Sequence, residues 1–478
     1  MKKKIIIVSL LIIASITGGV TYARATLKGR DIEYATYDKK WDVDTVNDAL
    51  DSLYQDECPK ADECLNNVSS PKLYSGLIPI TLADDGTVTY ADAAGDWYNY
   101  CEKRWANAVI LIESPSKTYA VGDTIDEADI QSYFVWIPKF KYKLWNVNSD
   151  GKSTGSLDTA HVIDVVFSVT NTIDKEGVSC ETPLVSGESG NCDNGEYMTH
   201  PAFISMGVNG FWVGKFETGY LGATTKANAQ KNEANAAKII IKPNVFSWRY
   251  IKVMFAFQNA YNYQRDMDSH MMKNTEWGAT AILAHSRYGS GQEARNNNNS
   301  NNKTGYGALL TSLQHTYTGA SGDGGTYNSA YNTDAGYLAS TTENITGVYD
   351  MAGGAHELMA SYFDASFGSS GFTATTIANY DAKYFDVYSK SATATAYQYR
   401  ILGDATGEMG PFKNFKDGDN NARYHNSWYK EQSNFIEKAN PWFARGGAYN
   451  FGVLAGQFSF TKFTGANNNN YSYRIVLS

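Results

Sequence analysis

Asn344-Ile345-Thr346-Gly347-Val348-Tyr349-Asp350-Met351-Ala352-Gly353-Gly354-Ala355-His356-Glu357 is the stretch on which the reading of this chain turns, and three shorter blocks belong with it. These are Lys273-Asn274-Thr275-Glu276-Trp277-Gly278-Ala279, Arg445-Gly446-Gly447-Ala448-Tyr449 and Tyr473-Arg474-Ile475-Val476. Gly353, Gly354, Gly446 and Gly447 permit tight turns or close backbone approach. Arg445 and Arg474 sit beside apolar and aromatic residues, so they are expected to be buried and to make charge-assisted hydrogen bonds that fasten the terminal strands, with Glu276 and Glu357 as candidate partners. Read this way, Glu276, Trp277, Gly353, Gly354, Glu357, Arg445, Gly446, Gly447 and Arg474 build a platform. They do not by themselves form a reactive site.

The four blocks, in this order within residues 133–478, resemble the formylglycine-generating-enzyme domain family. The family's corresponding motifs are "LPTEAEWEYAA", "NxxGLYDMxGNVWEW", "RGGSW" and a closing "GFR". The resemblance implies an α+β fold, a modified C-type-lectin-like domain, in which Thr275 caps a helix and Glu276 occupies its first turn. It also exposes departures. Oxidase members hold copper with a cysteine pair near the C-terminal blocks, since thiolate suits a soft monovalent metal. Here no cysteine follows Cys192. The His-rich iron site of the ergothioneine-type members has no counterpart among seven histidines scattered at 161, 200, 270, 285, 315, 356 and 425. His356, where the family has Trp, reads as a packed residue and not a ligand. No zincin motif, nucleophile elbow or phosphate-cradling loop occurs. No catalytic residue and no metal ligand is assigned.

From Tyr449 to Tyr471 the chain resembles the terminus of variable proteins diversified by retroelements, "RGGxWxNGxxAGxFxxxxNxxxSxxxxxFR". Gly452, Ala455, Gly456 and Phe458 match fixed positions of that pattern. Tyr449, Phe451, Val453, Leu454, Gln457, Ser459 and Thr461 fall at or near variable ones, and the resemblance implies that they bind the ligand. Phe451, Val453 and Leu454 beside glycines would form an exposed apolar patch. The alternative is that they fill a core beneath the insertion loops.

Outward from these blocks the chain divides into segments. Lys2, Lys3 and Lys4, the apolar run from Ile5 to about Val20 and Ala23-Arg24-Ala25 have the order of a signal peptide, so residues 1–25 are read as a cleaved signal or an N-terminal anchor. Residues 26–57 form a connector in which Val46, Ala49, Leu50 and Leu53 recur at helical spacing. This short amphipathic helix resembles those preceding phage-fibre heads, which associate, so homo-oligomer formation through 41–54 stands beside a helix packed on the next module. Residues 58–132 carry short strand-like runs and are expected to be a separate small β-rich module. In residues 133–478 strands are expected at 134–138, 140–145, 162–167 and 210–217, and helices at 248–264 and 275–284. Loop insertions are expected at 289–340, where Asn296 to Asn302 is nearly a polar homopolymer, and at 365–435.

Composition narrows the partners. At 478 residues the chain can bury a sizeable core. A net charge of −9 and the lack of a basic stripe argue against nucleic acid. The 34 Tyr and 10 Trp suit a protein- or carbohydrate-binding face. Five cysteines fit an oxidising compartment, with Cys58 paired to Cys64, Cys180 paired to Cys192, and Cys101 left over. No cofactor is required. Asp417-Gly418-Asp419-Asn420-Asn421 offers oxygens for calcium, although a solvated turn is the plainer reading. The chain is therefore expected to be a secreted or cell-surface adhesin or receptor-binding head for a glycan or protein, touching membrane only through its N-terminus. An oxidase-like enzyme of the formylglycine family and a structural subunit of a surface fibre are the alternatives.

Overall fold

The strand Ile130–Pro138 is buried at every position except Gln131. A strand covered on both faces must lie inside a sheet, and its apolar run Tyr133-Phe134-Val135-Trp136-Ile137 meets that requirement. The computed structural model describes residues 68–143, 162–168, 197–308, 328–388, 403–406, 429 and 431–478. All lie in the unit formed by residues 67–478. The fold is mixed α+β, mostly strands with few helices and no barrel. Among the described residues no helix is long and apolar enough to cross a membrane.

Two sheets carry the architecture. In the seven-stranded sheet the order is His270–Met271, Ile475–Leu477, Gly210–Gly214, Ile130–Pro138, Asn107–Leu111, Leu77–Leu82 and Val88–Tyr90, all paired antiparallel. The second sheet has the order Asp386–Tyr388, His356–Phe363, Trp442–Gly446 and Gly456–Phe463, with Tyr471–Tyr473 also pairing to His356–Phe363. Between them lies the helix Asn274–Ala284, every residue of which is buried. Residues at helical spacing on Val253–Tyr263, namely Val253, Ala256, Phe257 and Ala260, are buried too, as expected for an amphipathic helix.

The last strands tie the sheets together. Arg474 stands between Tyr471–Tyr473 of one sheet and Ile475–Leu477 of the other. Its Nε donates to Glu357 Oε2 at 2.8 Å and its Nη2 to Glu357 Oε1, while Nη1 donates to Gly214 O at 2.7 Å and Nη2 also to Tyr349 O at 2.9 Å. Both side chains are fully buried. Arg445 donates to Asn274 Oδ1 at 2.9 Å and Asp404 O at 2.8 Å. Glu276 serves neither arginine; it bonds His270 Nε2 at 2.8 Å and accepts from Lys273 N at 2.8 Å.

Several expectations need correction. The boundary between 132 and 133 falls inside the strand Ile130–Pro138, and the strands from 77 to 111 belong to the same sheet. Buried polar contacts bind them further. Lys215 Nζ donates to Asn107 Oδ1, Ile345 O and Gly347 O at 2.7 to 2.9 Å, and Trp105 Nε1 donates to Tyr288 O at 2.7 Å. Thr275 does not cap its helix, which begins at Asn274 after the cap Lys273; its hydroxyl donates to Asp386 instead. The segment Asn296 to Asn302 is not a surface loop. Asn297, Asn298, Asn299 and Asn302 are buried, because backbone and amide groups there bond Ala352, Gly354, Ser247 and Asp350. Nor is 289–340 wholly loop, since Tyr306–Ala308 pairs with Asn328–Ala330. Within 365–435, Asp386–Tyr388 pairs with His356–Phe363.

Cys101 is disulfide-bonded and not left over. The expected pairs, Cys58 with Cys64 and Cys180 with Cys192, involve the other four cysteines. Those four cysteines, the 1–25 signal, the 26–57 connector and Asp417–Asn421 lie outside the described residues.

Arg474→Ala leaves Glu357 buried without its cation. It is expected to cost about 3 to 5 kcal/mol, visible as a lowered urea midpoint and a reduced yield of folded protein. An unchanged midpoint would show that this pair does not hold the sheets.

Candidate ligand-binding face

Strands Trp442–Gly446 and Gly456–Phe463 pair antiparallel, with an irregularity between Arg445 and Gly446, and the turn between them carries most of the residues singled out in the sequence. Its shape is set from both ends. Gly447 has φ +76°, and a Cβ there would come within 2.5 Å of Ala455 Cα, so only glycine lets the turn fold back on itself. Gly452–Leu454 forms a 3-10 turn. Outside contacts hold it: Tyr449 N donates to Gly354 O at 2.8 Å, Asn296 Nδ2 to Gly452 O at 2.7 Å and Gln432 N to Leu454 O at 3.0 Å.

The structure divides the seven expected binding residues. Tyr449, Phe451 and Leu454 are half-buried on the turn, and Asn450 beside them is exposed. The backbone of Val453 belongs to the 3-10 turn. Gln457, Ser459 and Thr461 are buried, with 0, 0 and 7 % exposure, and so are not at the surface. The reason is tertiary. Residues 432–434 pair with the outer edge of Gly456–Phe463, where Phe460 N donates to Gln432 O and Asn434 N to Phe460 O, and the helix Asn274–Ala284 packs against the strand, with Trp277 Nε1 donating to Gln457 O at 2.7 Å and Gln457 Nε2 to Gln292 O at 3.2 Å.

Three separate elements bring further rings to the turn. Phe451 meets the His356 ring edge-on, with centroids 4.7 Å apart, and His356 stacks on Tyr471 at 4.8 Å. Tyr471 in turn stacks on Phe463 at 4.1 Å. Phe451, Tyr471 and Phe463 are half-buried while His356 is buried. Such contacts add to area burial and fix ring orientation. The Asn467 to Asn470 segment positions Tyr471: His356 N donates to Asn470 O at 2.8 Å, and Asn470 N donates to Asn468 Oδ1 at 3.0 Å. Behind it Arg249 donates to Asn469 O and to Lys226 O.

Burial lowers the His356 pKa to about 4, so the ring is neutral near pH 7. Among the described residues no group of three or more His, Cys, Asp or Glu side chains meets in a way that could hold a metal ion. What the arrangement offers is a run of preorganised aromatic surface bordered by Tyr449 and exposed amides of Asn468 and Asn469. Phe463 and the ring stack were missed in the sequence; His356 and Tyr471 had been noted singly, but nothing in their spacing shows that they touch.

Because the folded pKa of His356 lies below the unfolded value of 6.5, the unfolded chain binds the extra proton. Its contribution is present above about 6.5 and is lost as pH falls toward 4. The stability difference between the native protein and His356→Phe should therefore move by roughly 3 kcal/mol in favour of the variant between neutral pH and pH 4. Urea titrations across that range check this, and a difference independent of pH would contradict it. No protein-family model matches this chain, and no curated protein is detectably similar to it.

Proposed function

We propose that this chain is an exported ligand-binding protein, an adhesin or receptor-binding head, whose C-terminal domain has the modified C-type-lectin-like, formylglycine-generating-enzyme type of fold. The observation that carries the reading is the half-exposed aromatic run of Phe451, Tyr471 and Phe463 around His356, with Tyr449 and Leu454 beside it. Rings that are held in place but not fully covered bind with little further loss of entropy, and they suit the apolar face of a sugar ring or an aliphatic protein surface. The disulfide at Cys101 supports passage through an oxidising compartment, as does the signal-like order of residues 1–25. The lack of any cysteine after Cys192 weighs against the copper oxidase alternative.

The test is binding of the purified chain to glycan arrays and intact cells, beside a variant combining Tyr449→Ala, Phe451→Ala and Leu454→Ala. The variant should keep its fold by circular dichroism and lose at least about thirtyfold in affinity, the scale of a single binding hot spot of about 2 kcal/mol. Equal binding by both proteins would remove the face from consideration.

A further inference from the structure

A second feature lies at the start of the strand Gly456–Phe463, apart from the ring stack. A Cβ on Gly456 would fall 1.8 Å from Glu431 Oε1 and 2.6 Å from Glu293 Oε1, so two carboxyl groups converge on this one glycine. Both are buried, Glu293 with 5 % and Glu431 with 0 % exposure. Each also grips the strand. Gln457 N donates to Glu293 Oε1 at 2.5 Å and Phe458 N to Glu431 Oε1 at 3.1 Å. With the two carboxyls held this close in a buried place, the charge of Glu431 raises the pKa of Glu293, and a proton on one of the pair is favoured.

We propose that Glu293 and Glu431 form a proton-sharing latch that holds Gly456–Phe463 and the preceding turn in place while one carboxyl is protonated and releases them when both ionise. The two segments carrying these residues also clamp the turn. From the Glu293 side Asn296 Nδ2 holds Gly452 O, and from the Glu431 side Gln432 N holds Leu454 O while Gln432 O accepts from Phe460 N. Repulsion between two buried carboxylates therefore acts directly on both clamps. Among the described residues, the titratable groups beside this pair include Tyr429, which sits in the field of both carboxyls, and His285, whose Nε2 lies 2.7 Å from the Tyr429 hydroxyl.

Burial, reinforced by the Glu431 charge, holds the Glu293 carboxyl well above the usual carboxylate range. The folded state then binds the proton more tightly than the unfolded one. The latch is accordingly closed in acid and lost as pH rises through the folded pKa. That direction is opposite to the acid effect of His356, so the two are separable.

Hydrogen exchange by mass spectrometry on the full chain, at about pH 6 and about pH 9 with intrinsic rates corrected, tests the latch on peptides covering 449–461. Native protein should lose about tenfold in protection at the higher pH. Glu293→Gln and Glu431→Gln each supply a permanent N–H donor between the two groups, and should stay protected at both values. Protection that is unchanged with pH in the native chain, or variants that fail to hold the strand closed at pH 9, overturns the proposal. Exchange is read without any ligand, so the latch and the binding function stand or fall separately.

Discussion

The bidentate bond between Arg474 and Glu357 is the contact on which the two sheets depend. The chain leaves one sheet at Tyr473 and enters the other at Ile475, with Arg474 at the crossing. A guanidinium with five donors can bond a carboxylate in the second sheet, a carbonyl of Gly214 in the first and a carbonyl of Tyr349 at once. No apolar side chain could join three such groups. Burying the charge is costly, and the cost is offset only because these partners are supplied together.

Around this crossing the helix Asn274–Ala284 acts as a spacer. The Trp277 ring lies beneath both buried arginines, with its centroid 5.7 Å from Arg445 and 6.0 Å from Arg474, and its indole N–H donates to Gln457 O at 2.7 Å. The hairpin that ends in the aromatic turn is thereby fixed to the same centre. Rigid strands beneath a short turn are a physical setting in which a few side chains can be presented without collapse of the surface.

Local patterns were legible where one element decides its own structure. The spacing of Val253, Phe257 and Ala260 marked a helix, and the run from Phe134 to Pro138 marked a strand. Arg474 and Glu357 could be nominated as partners because a buried arginine demands a carboxylate or carbonyls. Prediction failed where the answer lay in another part of the chain. An asparagine run looks like a solvated loop until the backbone of Ala352 and Gly354 and the carboxylate of Asp350 take up its amides. Gln457, Ser459 and Thr461 alternate as a half-exposed strand would, yet the helix Asn274–Ala284 and the segment at Gln292 pack on that strand and 432–434 pairs with its edge.

The sequence by itself determined the classes of element, the platform of glycines and buried charges, and the aromatic character of the terminal turn, because these follow from side-chain chemistry and short-range periodicity. Tertiary structure alone decided that residues 77–111 complete the larger sheet and that His356, Tyr471 and Phe463 form one stack with Phe451. It also decided that Glu293 and Glu431 meet at Gly456. Each of these joins residues far apart in the chain, and their contact depends on sheet order and register, which spacing along one sequence does not encode.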